Sequence, residues 1–332
     1  MVIIIDATLP PDQAEKIQQL SCAIQLVRMP TVGGALPKDA LREAEIIYTA
    51  AANFNPADAP RLRWVQVNTA AIEHFAERPV MRTAIPVANV TGAYTTAVAE
   101  CALAMLLAVT RRIPLGCQFQ ARHEWPEDYE PWRGDDLYSQ TMGMVGYGSI
   151  GRQIARIVQA MGMNVLACKR NPAVHGDASY ALPDTGDPDG DIPTAWFGFG
   201  QLRDMLRQSD VAMITLPQTP ETRGMIGRAE LDALPHHAYV VNMGRGRVVD
   251  ETALLDSLRS GRLAGAAFDV FAEEPLPAAD PLWTAPNLLI MPHIGSWTKL
   301  QERRATEVFI ENLQRDLRGD PLVNVVDKKL MY

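Results

Sequence analysis

Along the N-terminal part of the chain, apolar residues fall into short β-rich runs: "VIIID" (2–6), "AIQLV" (23–27), "IIYTA" (46–50), "WVQV" (64–67) and "PVAN" (86–89). Amphipathic stretches such as "PDQAEKIQQL" and "PKDALREAE" separate them. This rhythm predicts a parallel sheet with crossover helices. Residues 95–112, "TTAVAECALAMLLAVTRR", are apolar almost all round until their basic end, the pattern of a helix buried between layers or domains. A second series of strands follows: "TMGMVG", "NVLAC", "VAMITLP", "AYVVNMG", "GAAFDV" and "LLIMP", with helical segments between most of them. The closing segment "KLQERRATEVFIENLQRDLRG" is a long helix that Gly319 is placed to stop, with Pro321 beyond. Folded back onto the first sheet, it makes the first domain discontinuous.

Two stretches break the rhythm. Residues 115–140, "LGCQFQARHEWPEDYEPWRGDDLYSQ", are irregular yet carry Phe119, Trp125, Tyr129, Trp132 and Tyr138, which suggests an arm that grips a second subunit. Residues 171–200 are rich in Gly, Pro and Asp and read as a surface excursion with no assigned chemistry.

Composition narrows the function. The chain has 332 residues, enough for two domains, and is 47% hydrophobic and 21% charged, as soluble globular proteins are. A net charge of −8 argues against a nucleic-acid surface and for a small-molecule partner. In "VIIID" the acid at position 6 ends the apolar run too early for a signal peptide, and "AVAECALAMLLAV" is too short to span a membrane, so a cytoplasmic protein is expected. Cys22, Cys101, Cys117 and Cys168 include no CxxC pair; they suggest no metal site and read as small core hydrophobes.

The most informative turn is "GYGSIG". Gly146, Gly148 and Gly151 follow a strand and open a stretch in which Ile150, Ile154, Ile157, Val158 and Met161 recur at helical spacing. The first glycine permits a tight turn, the second lets backbone approach a pyrophosphate, and the third lets the helix sit close to the sheet. Backbone NH groups around Ser149 and Ile150 then face the phosphates at the positive end of the helix dipole. Three polar residues cluster at later strand ends: Arg245 in "VVNMGRGRVVD", Glu274 in "FDVFAEEPL" and His293 in "MPHIGSWT". In an open parallel sheet these ends share one crevice. Arg245 can hold a carboxylate through two parallel hydrogen bonds, and a carboxylate beside His293 would favour the imidazolium that donates a proton.

With these residues in view the chain resembles the D-isomer-specific 2-hydroxyacid dehydrogenases over nearly its whole length. The resemblance is carried by "VGYGSIGRQIA", "LPQTPETRGMIG", "VVNMGRGRVVDETALLDSLRSGRLAGAAFDVFAEEPL", "MPHIGSWT" and "NLQRDLRGDPLVNVVD". It implies an α/β protein with two doubly wound parallel-sheet domains: a Rossmann cofactor domain (101–296) inserted in a flavodoxin-like substrate domain (1–100 and 297–332), with the active site in the cleft between them. It implies reversible reduction of a 2-oxo acid by NADH or NADPH, with Arg245 binding the substrate, His293 as general acid and base, Glu274 orienting His293, and Asp269 near the nicotinamide carboxamide. A homodimer and a glyoxylate- or hydroxypyruvate-like substrate are expected. The runners-up are a phosphoglycerate-type dehydrogenase, for whose regulatory domain a chain ending at Tyr332 has no room, and a dinucleotide-sensing corepressor-like protein.

Two departures from the family pattern bear on specificity. The loop that offers backbone NH groups to the substrate carboxylate commonly holds a Gly, where this chain has Ala70 and Ala71 in "VNTAAIEHF". The position 18 residues after Gly151, where NAD-using members place an Asp on the adenosine ribose, is Lys169, followed by Arg170. Two cations there attract a 2′-phosphate, so NADP is the expected cofactor, with NAD possible.

Overall fold

The structure is a computed structural model that describes residues 1–29 and 34–330. It divides into two compact units, Met1–Tyr94 with Ala178–Pro183 and Thr298–Tyr332, and Thr95–Asp177 with Asp184–Trp297. These bounds differ from the expected ones, after residue 100 and before residue 297, and add Ala178–Pro183 to the first unit.

In the first unit, β1 (Val2–Ile5), β2 (Gln25–Arg28), β3 (Ala44–Thr49), β4 (Trp64–Val67) and β5 (Val87–Ala88) form one sheet in the order β2-β1-β3-β4-β5. Every pair is parallel, and the order is that of flavodoxin-like folds. Ile3, Ile4, Ile46, Ile47 and Val65 are fully buried, as a sheet covered on both faces requires. The closing helix, Gln301–Arg318, ends on Gly319 at φ 78°. Its Phe309 stacks on Tyr48 with ring centroids 4.5 Å apart and tilts against Trp64 at 5.7 Å. Buried polar groups fix its register: Asn312 Nδ2 donates to Gln66 Oε1 at 2.9 Å, and Asn312 Oδ1 accepts from the Val323 NH at 2.7 Å. The closing helix is thus part of the first unit's core.

The second unit carries β6 (Thr141–Val145), β7 (Asn164–Cys168), β8 (Ala195–Phe197), β9 (Val211–Ile214), β10 (Tyr239–Asn242), β11 (Gly265–Phe268) and β12 (Leu288–Ile290). Their order is β12-β11-β10-β9-β6-β7-β8, all parallel, so the winding reverses between β6 and β9. That reversal is the topological switch point at which dinucleotides bind. The helix Thr95–Thr110 packs in this unit and buries Leu103, Met105, Leu106 and Val109, each side chain worth about 1.5–3 kcal/mol.

Three expectations need correction. Part of the supposedly irregular arm is a helix, Ile113–Arg122, with Pro114 in its first turn, where the missing NH has no intrahelical use. None of its residues is buried, so it leaves no apolar stripe to read. The 171–200 excursion contains a seventh strand, β8, and is tied to the helix Ser149–Ala160 by Arg152, which is 3% exposed. That guanidinium pairs with Asp177 at 3.3 Å and donates to the carbonyls of His175 and Asp187, while Tyr147 OH donates to Asp187 Oδ2 at 2.7 Å. A buried cation needs such partners, and the excursion supplies them. Of the four cysteines, only Cys168 is buried; Cys22 and Cys117 are exposed and Cys101 is half-buried.

Candidate active site

The glycine turn lies at the switch point. Gly146 has φ 102°, and a side chain there would press on Leu216 and Thr215 at 3.1 Å. Its carbonyl is fixed by Thr215 Oγ1 at 2.9 Å, and a Cβ on Gly151 would come within 2.7 Å of it. Gly148 differs, because a Cβ there would meet nothing within 4 Å. The first glycine thus serves the turn, the third serves helix packing, and the second leaves open space beside the backbone. The helix Ser149–Ala160 has no side-chain cap. Among the described residues the NH groups of Ser149 and Ile150 have no protein acceptor. An uncapped helix start beside open space fits the diphosphate of a dinucleotide.

Arg245, Glu274 and His293 follow β10, β11 and β12, three neighbouring strands whose carboxyl ends face the same way. His293 Nδ1 and Glu274 Oε2 are 2.7 Å apart, and Glu274 Oε1 accepts from the Phe271 NH at 2.8 Å. One carboxylate oxygen is therefore held by backbone while the other orients the imidazole. His293 sits at φ 56°, a left-handed conformation that costs a non-glycine residue about 1–2 kcal/mol. The following backbone is clamped by Asp269, which is 3% exposed and accepts from the Ile294 and Gly295 NH groups at 2.9 Å each. Both its oxygens hold the His293 loop, a role that the sequence does not disclose.

The Arg245 loop runs against the Glu274 loop. A Cβ on Gly246 would meet the Phe271 carbonyl carbon at 1.9 Å, so only glycine allows this approach. Arg247 Nε donates to the Ala272 carbonyl at 3.0 Å, and Glu251 Oε1 accepts from the Ala272 NH at 2.7 Å. Arg245 is half-buried, and its NH1 reaches the Gly244 carbonyl at 2.6 Å. Burial, reinforced by Asp280, Glu274 and Asp250 and opposed by the Ala272 NH, pushes the Glu251 carboxyl above the usual carboxylate range. Glu251 therefore brackets the site from outside the expected triad.

At the end of β7 the two cations are placed differently. Lys169 Nζ donates to the Val174 carbonyl at 2.8 Å and lies 5.8 Å from the centroid of Trp196, whose ring stacks on His175. Burial, and then Arg152, hold its ammonium below the ordinary lysine range, against the pull of Asp177. Arg170 Nε donates to Glu221 Oε2 at 2.7 Å. In the first unit the carbonyls of Thr69, Ala70 and Ala71 accept from Val90 N, Asn89 Nδ2 and Thr69 Oγ1 at 3.3, 2.9 and 2.7 Å. Their NH groups donate to nothing among the described residues. Neither alanine has positive φ, so this loop does not need a glycine.

Comparison with known proteins gives the family. A family model described as D-isomer specific 2-hydroxyacid dehydrogenase, NAD binding domain, matches residues 103–295. A glyoxylate reductase of Aeropyrum pernix is 33% identical over 299 residues, covering 87% of this chain and 85% of that protein. The chain belongs to the D-isomer specific 2-hydroxyacid dehydrogenase family. Its reaction class is therefore the NAD(P)-linked interconversion of a 2-oxo acid and a 2-hydroxy acid. A hydroxypyruvate reductase of Blautia hydrogenotrophica is 31% identical over 300 residues, covering 86% of each chain. Among solved structures, a family member from Xanthobacter autotrophicus in complex with NADPH and MES superimposes with a TM-score of 0.79 at 26% identity, covering 100% of this chain and 99% of that one. No helix among the described residues is long and apolar enough to cross a membrane.

Proposed function

We infer that the protein reduces a small 2-oxo acid, glyoxylate or hydroxypyruvate in kind, to the D-2-hydroxy acid with NADPH. The observation that carries this is the 2.7 Å contact between His293 Nδ1 and Glu274 Oε2 at the strand ends that also bear Arg245. With Nδ1 engaged by a carboxylate, Nε2 is the ring position left to give a proton. The bound nicotinamide supplies the hydride. Arg245 holds the substrate carboxylate and carbonyl. His293 Nε2 delivers a proton to the carbonyl oxygen, and Glu274 keeps the imidazolium oriented and stabilises its charge. In the oxidative direction the same nitrogen takes the proton back. Substrate size rests on the named relatives, a glyoxylate reductase and a hydroxypyruvate reductase. For the cofactor, Lys169 and Arg170 stand where the adenosine ribose is read, and the Xanthobacter relative was crystallised with NADPH. Asp269, by the resemblance, also approaches the nicotinamide carboxamide.

Steady-state kinetics with a panel of 2-oxo acids and each cofactor tests this reading. Glyoxylate or hydroxypyruvate with NADPH is expected to give the highest kcat/KM; absence of turnover with every oxo acid would leave a dinucleotide-sensing role. Arg245→Lys is expected to lower kcat/KM for the oxo acid about tenfold or more, mainly through KM, because one ammonium cannot reproduce the bidentate fork. Near-normal kinetics would remove Arg245 from the substrate site.

The reading also includes a cytoplasmic homodimer formed through the arm. Trp125, Tyr129 and Tyr138 are 84%, 60% and 71% exposed, a concentration of aromatic surface typical of interfaces. Trp132, in contrast, packs edge-on against Phe119 at 5.0 Å within its own arm, so Trp125 is the better candidate for reaching a partner. Sedimentation at micromolar concentration is expected to show a dimer that Trp125→Ala with Tyr129→Ala weakens; a monomeric wild type would rule this assembly out.

A further inference from the structure

Arg170 and Glu221 stand on opposite sides of the glycine turn. Arg170 follows β7 and Glu221 lies in the loop after β9, and β6, which feeds the turn, runs between those two strands. The 2.7 Å bond from Arg170 Nε to Glu221 Oε2 therefore links the two loops that flank the dinucleotide turn, with side chains 32% and 49% exposed. The Glu221 loop does not depend on this bond for its shape. Thr219 and Thr222, 5% and 2% exposed, fold it into a turn: Thr222 Oγ1 accepts from the Thr219 NH at 2.8 Å and donates to the Pro217 carbonyl at 2.6 Å. Further along, the Gly224 and Ile226 NH groups are held by the Arg247 and Val248 carbonyls at 2.9 and 3.0 Å. The Glu221 carboxylate is thus a charge presented by a loop that stands without it.

We propose that Glu221 tunes the cofactor preference by acting as an internal anion that competes with the 2′-phosphate of NADPH for Arg170. The proposal rests on the reading that the end of β7 receives the adenosine ribose. A guanidinium has five NH donors in a rigid fork, and the geometry that suits a phosphate also suits a carboxylate. With NADPH bound, Arg170 turns some of those donors from Glu221 to the phosphate, and the carboxylate is left beside a dianion. With NADH bound, the ribose offers only hydroxyls, and Glu221 keeps Arg170 neutralised. Glu221 thereby lowers NADPH affinity and leaves NADH affinity alone, which narrows the discrimination between the two cofactors. Lys169 does not enter this competition, since its Nζ donates to the Val174 carbonyl and the Glu221 carboxylate pairs with Arg170.

An exposed pair of this kind corresponds to a factor of about two to five in an equilibrium constant. The test is the dissociation constant of NADPH and of NADH, read by cofactor fluorescence on the full chain as wild type, Glu221→Gln, Arg170→Ala and the double variant. Glu221→Gln is expected to tighten NADPH about two- to fivefold and leave NADH unchanged, and this gain is expected to vanish when Arg170 is already alanine. If Arg170→Ala weakens NADPH but Glu221→Gln leaves it unchanged or weakens it, the competition is overturned and the cofactor reading stands. A gain that persists without Arg170 also overturns it, because Glu221 would then act on the phosphate directly. If Arg170→Ala leaves NADPH affinity intact, Arg170 does not meet the phosphate, and the proposal falls with that part of the cofactor reading.

Discussion

His293→Ala is expected to lower turnover about a hundred- to ten-thousand-fold while cofactor affinity stays within a factor of about two. The imidazole follows β12, well separated in the sheet order from the β6 glycine turn proposed for the diphosphate, so on the proposed reading its loss removes the proton donor and leaves the diphosphate site alone. Its geometry is held from two sides, by Glu274 at Nδ1 and by Asp269 through the next two backbone NH groups. Alanine removes the Glu274 contact but leaves the Asp269 clamp and the Phe271–Glu274 bond in place, so the fold should not be disturbed. Stopped-flow reduction with saturating NADPH and a fluorescence titration of the cofactor measure the two quantities separately. A decrease in turnover of less than severalfold would mean that another group delivers the proton.

What the sequence discloses about this site depends on whether the backbone or the tertiary packing dictates the residue. Gly146 and Gly151 are legible because a turn between a strand and a helix leaves little choice at those positions, and Gly148 because its spacing completes the motif. Arg245, Glu274 and His293 are polar residues beyond apolar strands, a position that a solvated residue fills equally well, and it is the family resemblance that singles them out. The long-range partners are not legible. Arg152 looks like one more surface cation on an amphipathic helix, yet it is buried by Asp177, His175 and Asp187, which come from a segment whose composition resembles loop. Strand β8, three residues long and preceded by a Gly- and Asp-rich stretch, is too short for periodicity to show and is specified by pairing with β7. Asp269 is visible as a motif residue, but its clamp on Ile294 and Gly295 depends on β11 and β12 lying side by side.

The same distinction decides which of the two cations at the end of β7 matters. By the family resemblance Lys169 and Arg170 fall where a ribose is read, and the sequence treats them alike; the structure gives them different partners. Lys169 is tethered to the Val174 carbonyl, lies over Trp196 and has its ammonium disfavoured by burial and by Arg152. Arg170 is held by an exposed carboxylate that a phosphate can replace. Lys169→Asp with Arg170→Ala is accordingly expected to abolish or reverse the NADPH preference, a change in the ratio of specificity constants of tenfold to about several hundredfold. Arg170→Ala alone should account for most of it. The sign of a pH effect follows from Lys169: a lowered lysine pKa means that its charge is lost as pH rises, before an ordinary lysine would lose it. Any share of the preference that Lys169 carries should therefore fade on the alkaline side. Added salt should shrink the wild-type preference, since the discriminating contacts are exposed charges. Measuring kcat/KM for NADPH and NADH across pH and salt, in the wild type and both variants, checks these outcomes together. A wild-type enzyme that prefers NADH would show that neither cation meets the cofactor.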